Sequence, residues 1–155
     1  MTVLNEGANP GGVGVLKYAR KTLTFTGAAG FGLAGDTITI WTLTGSIWIR
    51  ALIPICTVTL TQNLGTPTLS LGRAASVAEL IAATTATGIT SVNNIWQDAT
   101  ATPAYEVQTA ALKDFIYASN ALDISAKVGG TNNIDGGTLV FHCFYQPLTD
   151  GANLA

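Results

Sequence analysis

The chain has 155 residues, of which 10% are charged and 48% hydrophobic, and its formal net charge is −2. That length fits one domain with a core of its own, and the weak negative charge excludes a basic nucleic-acid-binding surface as its main device. The mean hydropathy of +0.39 is high for a chain whose surface must face water alone.

Residues 1–20 read as an N-terminal arm. Asn5, Gly7, Asn9, Pro10, Gly11, Gly12 and Gly14 make its first part turn-rich. Ordering such an arm costs about 1–2 kcal/mol per residue, so it is expected to settle only against a partner. Its apolar residues Val3, Leu4, Val13 and Val15 are candidate partner contacts. So are Lys17, Tyr18 and Arg20, a basic cluster suited to steering onto an acidic surface. The start of the chain shows neither a basic region nor an apolar leader, so synthesis in a cytoplasm is expected.

A domain is expected over 21–149, with strands at 21–27, 36–44, 46–61, 66–72, 91–98, 113–119, 121–128 and 137–147. Each is short, rich in β-branched residues and bounded by turn residues. Between the first two lies GFGLAG, residues 30–35, which fits the G-x-G-x-x-G pattern. A dinucleotide site needs a helix to start there and an acid about 20 residues on. Instead DTITIWTLTG follows with period two, and RALIPICTV holds no acid, so the glycines belong to a loop between strands.

Thr44–Gly45–Ser46 reads as a tight turn, with Trp41 and Trp48 flanking it. Trp41, Trp48 and Trp96 suit the core, but Trp is also enriched at interface hot spots, and Trp48 joins the candidate partner contacts. Pro54 should break or bulge segment 46–61 or confine it to an edge. That segment begins with the most apolar stretch, SIWIRALIPICTVTL. It is shorter than the ~20 residues of a spanning helix and carries a charge. The scattered aromatics do not form the girdles of a membrane barrel. The low charge is therefore better explained by cover from other protein chains.

The stretch AASVAELIAATTAT, residues 74–87, is open: Val77, Leu80 and Ile81 allow a short helix, while the threonines favour extended chain. Residues 97–106 read as a loop, 129–137 as a turn cluster and 150–155 as a tail. Many short strands with glycine-rich turns make an all-β sandwich or barrel.

Groups for catalysis are sparse. In TLVFHCFYQ, His142 and Cys143 are adjacent and point to opposite faces, so they cannot act as a pair. One histidine and two distant cysteines do not make a zinc site. Asp98, Asp114, Asp123 and Asp135 sit at turns and strand ends, where aspartate usually orders backbone. NNIDGG has oxygen donors of the calcium kind but no clustered acids. No enzyme activity, cofactor or metal is expected. Whether Cys56 and Cys143 bond is left open by the sequence.

Three segments together resemble a family. KYARKTLTFTGAAGFGLAG leads into TITIWTLTGSIWI; TLSLGRAAS is followed by LIAATTAT; the end is DISAKVGGTNNIDGGTLVFHCFYQPL. Over residues 17–149 the chain resembles the small proteins of tailed bacteriophages that decorate or cement the capsid. The resemblance implies a jelly-roll-like β-sandwich that forms a homotrimer on the capsid exterior of the virion. It also implies bridging of neighbouring capsomers of the major capsid protein, with a terminal arm to help. It brings no catalytic motif. The alternative is a receptor- or glycan-binding β-sandwich of a tail fibre or spike, which would expose a Trp or Tyr beside polar groups.

Overall fold

The computed structural model describes residues 12–89, 94–97, 101–102, 114–117 and 122–155. Val3, Leu4 and Asp98 lie outside the described residues.

The architecture is all-β: two antiparallel sheets packed face to face. The first holds β1 (Lys17–Thr24), β10 (Gly136–Pro147), β3 (Ile47–Thr61), β6 (Ile95–Trp96) and β7 (Ala101–Thr102) in that order, with β8 (Phe115–Tyr117) also on β3. The second runs β11 (Asn153–Leu154), β2 (Thr37–Thr44), β9 (Leu122–Gly129), β4 (Thr68–Arg73) and β5 (Ser76–Thr85).

Alternation along the strands builds the core. On β10, Leu139, Phe141, Cys143 and Tyr145 turn inward and are buried, while His142 and Phe144 face outward. They meet Leu69, Leu71, Ile81, Ile124 and Val128 of the second sheet in one hydrophobic cluster. Each such side chain contributes about 1.5–3 kcal/mol by leaving water. The alternation is broken once on β2. A bulge between Thr39 and Trp41 lets both Ile40 and Trp41 enter the core. Trp41 meets the ring of Phe141 edge-on at 6.2 Å. Trp96 is also buried, and its Nε1 donates to Thr84 Oγ1 at 2.7 Å.

Residues 74–87 resolve in favour of extended chain. β5 covers 76–85 and a single 3₁₀ turn follows at Ala86–Gly88. Leu80, Ile81 and Thr84 are buried against β4 and the facing sheet, and that packing overrides the helix propensity of the alanines. Of the strand expected over 91–98, Ile95–Trp96 are strand among the described residues, and of that over 113–119, Phe115–Tyr117. β1 begins at Lys17, so Lys17–Arg20 lie in the sheet, and Asn153–Leu154 add an edge strand to β2.

Pro54 neither breaks nor bulges β3; it sits in unbroken register opposite Phe141. Cys56 N donates to Asn94 O on the β6 side, so two residues earlier the position of the missing N–H also faces away from β10. Among the described residues, that side of β3 has pairing partners only at Ile47–Ile49 and at Ile55. Pro54 lies between them, at a local edge of an otherwise central strand.

The glycine-rich segment 28–36 is a loop, as read. Gly30, Gly32 and Gly35 all have positive φ. The Asp36 carboxylate holds the loop shut, accepting from Gly30 N at 2.8 Å and Leu33 N at 3.0 Å. Cys56 and Cys143 are free and buried. Cys56 stands opposite Leu139 and Cys143 opposite Leu52, four positions apart along the ladder. That is roughly 13 Å, beyond the reach of a disulfide.

Candidate protein-binding face

Paired residues of an antiparallel ladder share a face. Tyr18 pairs with Phe144, which pairs with Ala51; Arg20 pairs with His142, which pairs with Ile53. The next row is Gln146, Trp48 and Ile116. These residues form the outer face of the first sheet, where alternation would ordinarily place polar groups. Here it is aromatic and aliphatic. Tyr18 is 50% exposed and Ile116 61%, while Phe144, Ile53 and Trp48 are half-buried.

A bulge shapes one end of this face. Phe144 pairs with Ala51 and Tyr145 with Ile49, so Arg50 is the extra residue. Its guanidinium lies 3.9 Å from the centre of the Trp48 ring, and Nη1 donates to Gln146 Oε1 at 3.4 Å. Trp48 Nε1 in turn donates to Asp114 Oδ1. Gln146 Nε2 donates to Gly14 O at 2.9 Å, and Gly14 N to Pro147 O at 2.7 Å. The N-terminal segment is thereby tied to the end of β10. Leu16, Arg50 and Gln146 line a shallow depression of about 300 Å³. Val15 and Leu16 beside it are each more than half exposed.

Tyr18, His142 and Phe144 form an aromatic group. Tyr18 stacks on His142 at 5.9 Å and tilts against Phe144 at 5.2 Å. Tyr18 Oη lies 2.6 Å from His142 Nδ1. Burial and then the charge of Arg20 hold the imidazole below its ordinary pKa. Which of the two donates follows the tautomer of the neutral ring: Nδ1 accepts from the phenol when the ring proton is on Nε2 and donates when it is on Nδ1.

The first sheet is the richer in basic residues, and the second carries both signs. Lys17, Arg20, Lys21 and Arg50 belong to strands of the first sheet. Arg73 and Lys127 lie on the second sheet with the acids Asp123 and Glu79; of the other described acids, Asp114 stands beside Trp48 and Asp36, Asp135 and Asp150 lie in loops. Glu79 is engaged by Arg73 at 2.6 and 2.8 Å and by the Tyr117 hydroxyl at 2.8 Å. The outer face of the first sheet is therefore apolar with a basic margin.

Six of the eight expected contact residues are described. Tyr18, Arg20 and Trp48 share the outer face, and Val15 lies at its end. Val13 is half-buried in the turn before it. Lys17 pairs with Tyr145, in the row that faces the core, at the open edge of β1. Sequence reasoning missed Leu16, Arg50, Ile116, His142 and Phe144. The alternation of TLVFHCFYQ carried the signal for the last two: both of its faces hold aromatic residues.

Tyr18 Oη is the hydrogen-bond partner of His142, while burial pushes the Cys143 thiol up to about 12 on the opposite face. Aromatic residues and arginine are the side chains that most often anchor protein interfaces.

No protein-family model matches the chain, and no curated protein matches it. Among solved structures, the fold is similar to a chain of the "Cyanophage Pam1 capsid asymmetric unit". The two share 18% identity with a TM-score of 0.59, over 95% of this chain and 94% of that one.

Proposed function

We propose that the protein is a structural, non-enzymatic component of a bacteriophage virion that binds the outside of the capsid and bridges neighbouring capsomers. The observation that carries this reading is the likeness of fold, along nearly the whole chain, to a chain of a cyanophage capsid. The apolar, basic-margined outer face supports it, because a free-standing sandwich has no use for such a surface. In this reading the protein is a homotrimer with a jelly-roll-like domain. Its partner is the major capsid protein, and residues 1–20 act as an arm on the shell. The mechanism is mass action: a ligand that binds only the assembled lattice stabilises that lattice. The test is sedimentation of purified protein with mature shells of its own phage. Saturable co-sedimentation is expected; protein that stays in the supernatant at every concentration ends the proposal.

Tyr18, half exposed with His142 at its hydroxyl and Arg20 beside it, also favours a second reading. An aromatic ring with polar neighbours suits a sugar, as in a tail-fibre or spike module. Binding on a glycan array without shell binding would decide for it.

A further inference from the structure

Two packed sheets leave edges, and an edge strand offers unpaired N–H and C=O groups to any other strand. Among the described residues, β7, β8 and β11 are only two or three residues long. β5 has ten residues, but its register against β4 shifts twice. Shortness and bulges both blunt an edge. β1 has neither protection. Its eight residues run in unbroken register along β10, and no described strand lies on its other side.

The register tells which groups point outward. Phe25 N donates to Gly137 O at 2.9 Å, and this pair continues the ladder that runs from Lys17 opposite Tyr145 to Thr24 opposite Thr138. Hydrogen-bonded and non-hydrogen-bonded pairs alternate along such a ladder. Ala19, Lys21 and Leu23 therefore exchange bonds with β10, and the N–H and C=O groups of Tyr18, Arg20 and Thr22 point to the open side. The charge of this edge is of one sign: β1 carries Lys17, Arg20 and Lys21 and no acid. Among the described residues, none of the three is paired with an acid.

We infer that β1 accepts an extended acidic segment of a partner protein as an added strand. Main-chain bonds to Tyr18, Arg20 and Thr22 hold the segment, and its alternate side chains set the preference. Lys17 and Lys21 lie on one side of β1, four residues or about 13 Å apart. Acids four residues apart on the added strand meet both. A second copy does not suit this edge, because β1 laid against β1 opposes Lys17, Arg20 and Lys21 to like charges, which is destabilising. The same cations that keep copies apart favour an acidic strand. The inference goes beyond the shell reading and does not depend on it, since it concerns main-chain atoms at the edge of the sheet and not its outer face.

The test titrates a short end-capped peptide of alternating valine and glutamate into the full chain, followed at the backbone amides by nuclear magnetic resonance. Saturable binding with a Kd of about 1 mM or tighter is expected, and the bound peptide should protect the amides of Tyr18, Arg20 and Thr22 from hydrogen exchange. Lysine in place of glutamate should weaken binding by about 10-fold or more. So should Lys17→Glu combined with Lys21→Glu, and Thr22→Pro, which removes one outward N–H at an edge where proline is tolerated. If a variant does not fold, the two peptides on the parent chain carry the test. No saturable binding, equal binding of the lysine peptide, or binding that leaves these three amides unprotected overturns the inference. Amides already protected in the free chain overturn it too, and give the edge to a second copy if the protection falls on dilution. A failure to co-sediment with shells would leave these results standing.

Discussion

His142 is the residue whose protonation touches both stability and the exposed face. Burial and Arg20 place its folded pKa below the ordinary value of 6.5. Between those two values the unfolded chain binds more protons, so stability is lost as pH falls below about 6.5 and is level above it. Glu79, held below its ordinary 4.5 by Arg73 and Tyr117 despite the opposing effect of burial, works in the same direction but only in more acidic solution. The midpoint of urea unfolding should be level from pH 8 to 7 and decline toward pH 5. In His142→Phe the decline should vanish above pH 5; an unchanged slope in that variant would remove His142 from the account. The cysteines give a second prediction at this scale. Both thiols are buried and shifted toward the protonated form, so neither should react with a thiol reagent in the native chain. After denaturation without reductant, two thiols per chain should titrate; none would mean that a disulfide exists and the register is wrong.

At the scale of elements, much of the sandwich was legible and the reasons for the rest are specific. β2, β3, β9 and β10 were readable because each is a run of eight or more residues that is mostly alternating or rich in β-branched and apolar side chains. The helix allowed by Val77, Leu80 and Ile81 was not excluded by sequence, because the packing of β5 against β4 is a long-range fact. For Pro54 the sequence allowed a break, a bulge or an edge, and the choice of the edge depends on which side of β3 its nitrogen faces, which nothing local encodes. The candidate face was only half visible. Tyr18 and Arg20 were found in a basic cluster and Trp48 separately as an interface anchor, but Ile116 joins them only through the β3–β8 pairing. The turn at Gly45 was visible, and its rigidity can be tested. Gly45 has φ of +72°, and a Cβ there would lie 2.8 Å from both the Ala152 side chain and Thr149 Oγ1. Ser46 N donates to the same hydroxyl at 3.0 Å. Gly45→Ala therefore combines backbone strain with a clash against the chain that leads to β11. It should cost about 2 kcal/mol, a fall in Tm of roughly 4–8 °C by calorimetry. A Tm unchanged within error would show that the 148–152 segment yields freely.

At the scale of the whole molecule, the division between the two sheets matters most. One sheet holds Lys17, Arg20, Lys21 and Arg50 and a largely apolar outer face; the other balances Asp123 and the ion-paired Glu79 with Arg73 and Lys127. A partner that covers the first sheet would relieve its exposed apolar surface and would be steered there by an acidic surface of its own. If this face meets the shell, then Tyr18→Asp and Ile116→Asp should each weaken shell binding by about 30-fold or more, the scale of a lost hot spot. Both side chains are at least half exposed, so Tm should stay within a degree or two of the parent. Phe31→Asp, in the β1–β2 loop and also exposed, serves as the control and should bind normally. Arg20→Ala should act differently, slowing association and flattening its salt dependence more than it speeds release. The same variants separate the trimer from the shell contact. Light scattering of the parent should give three times the 16.0 kDa chain mass. Variants that remain trimers but lose the shell assign the face to the capsid. Variants that fall to monomers assign it to the contact between copies, and the shell must then be met by another surface.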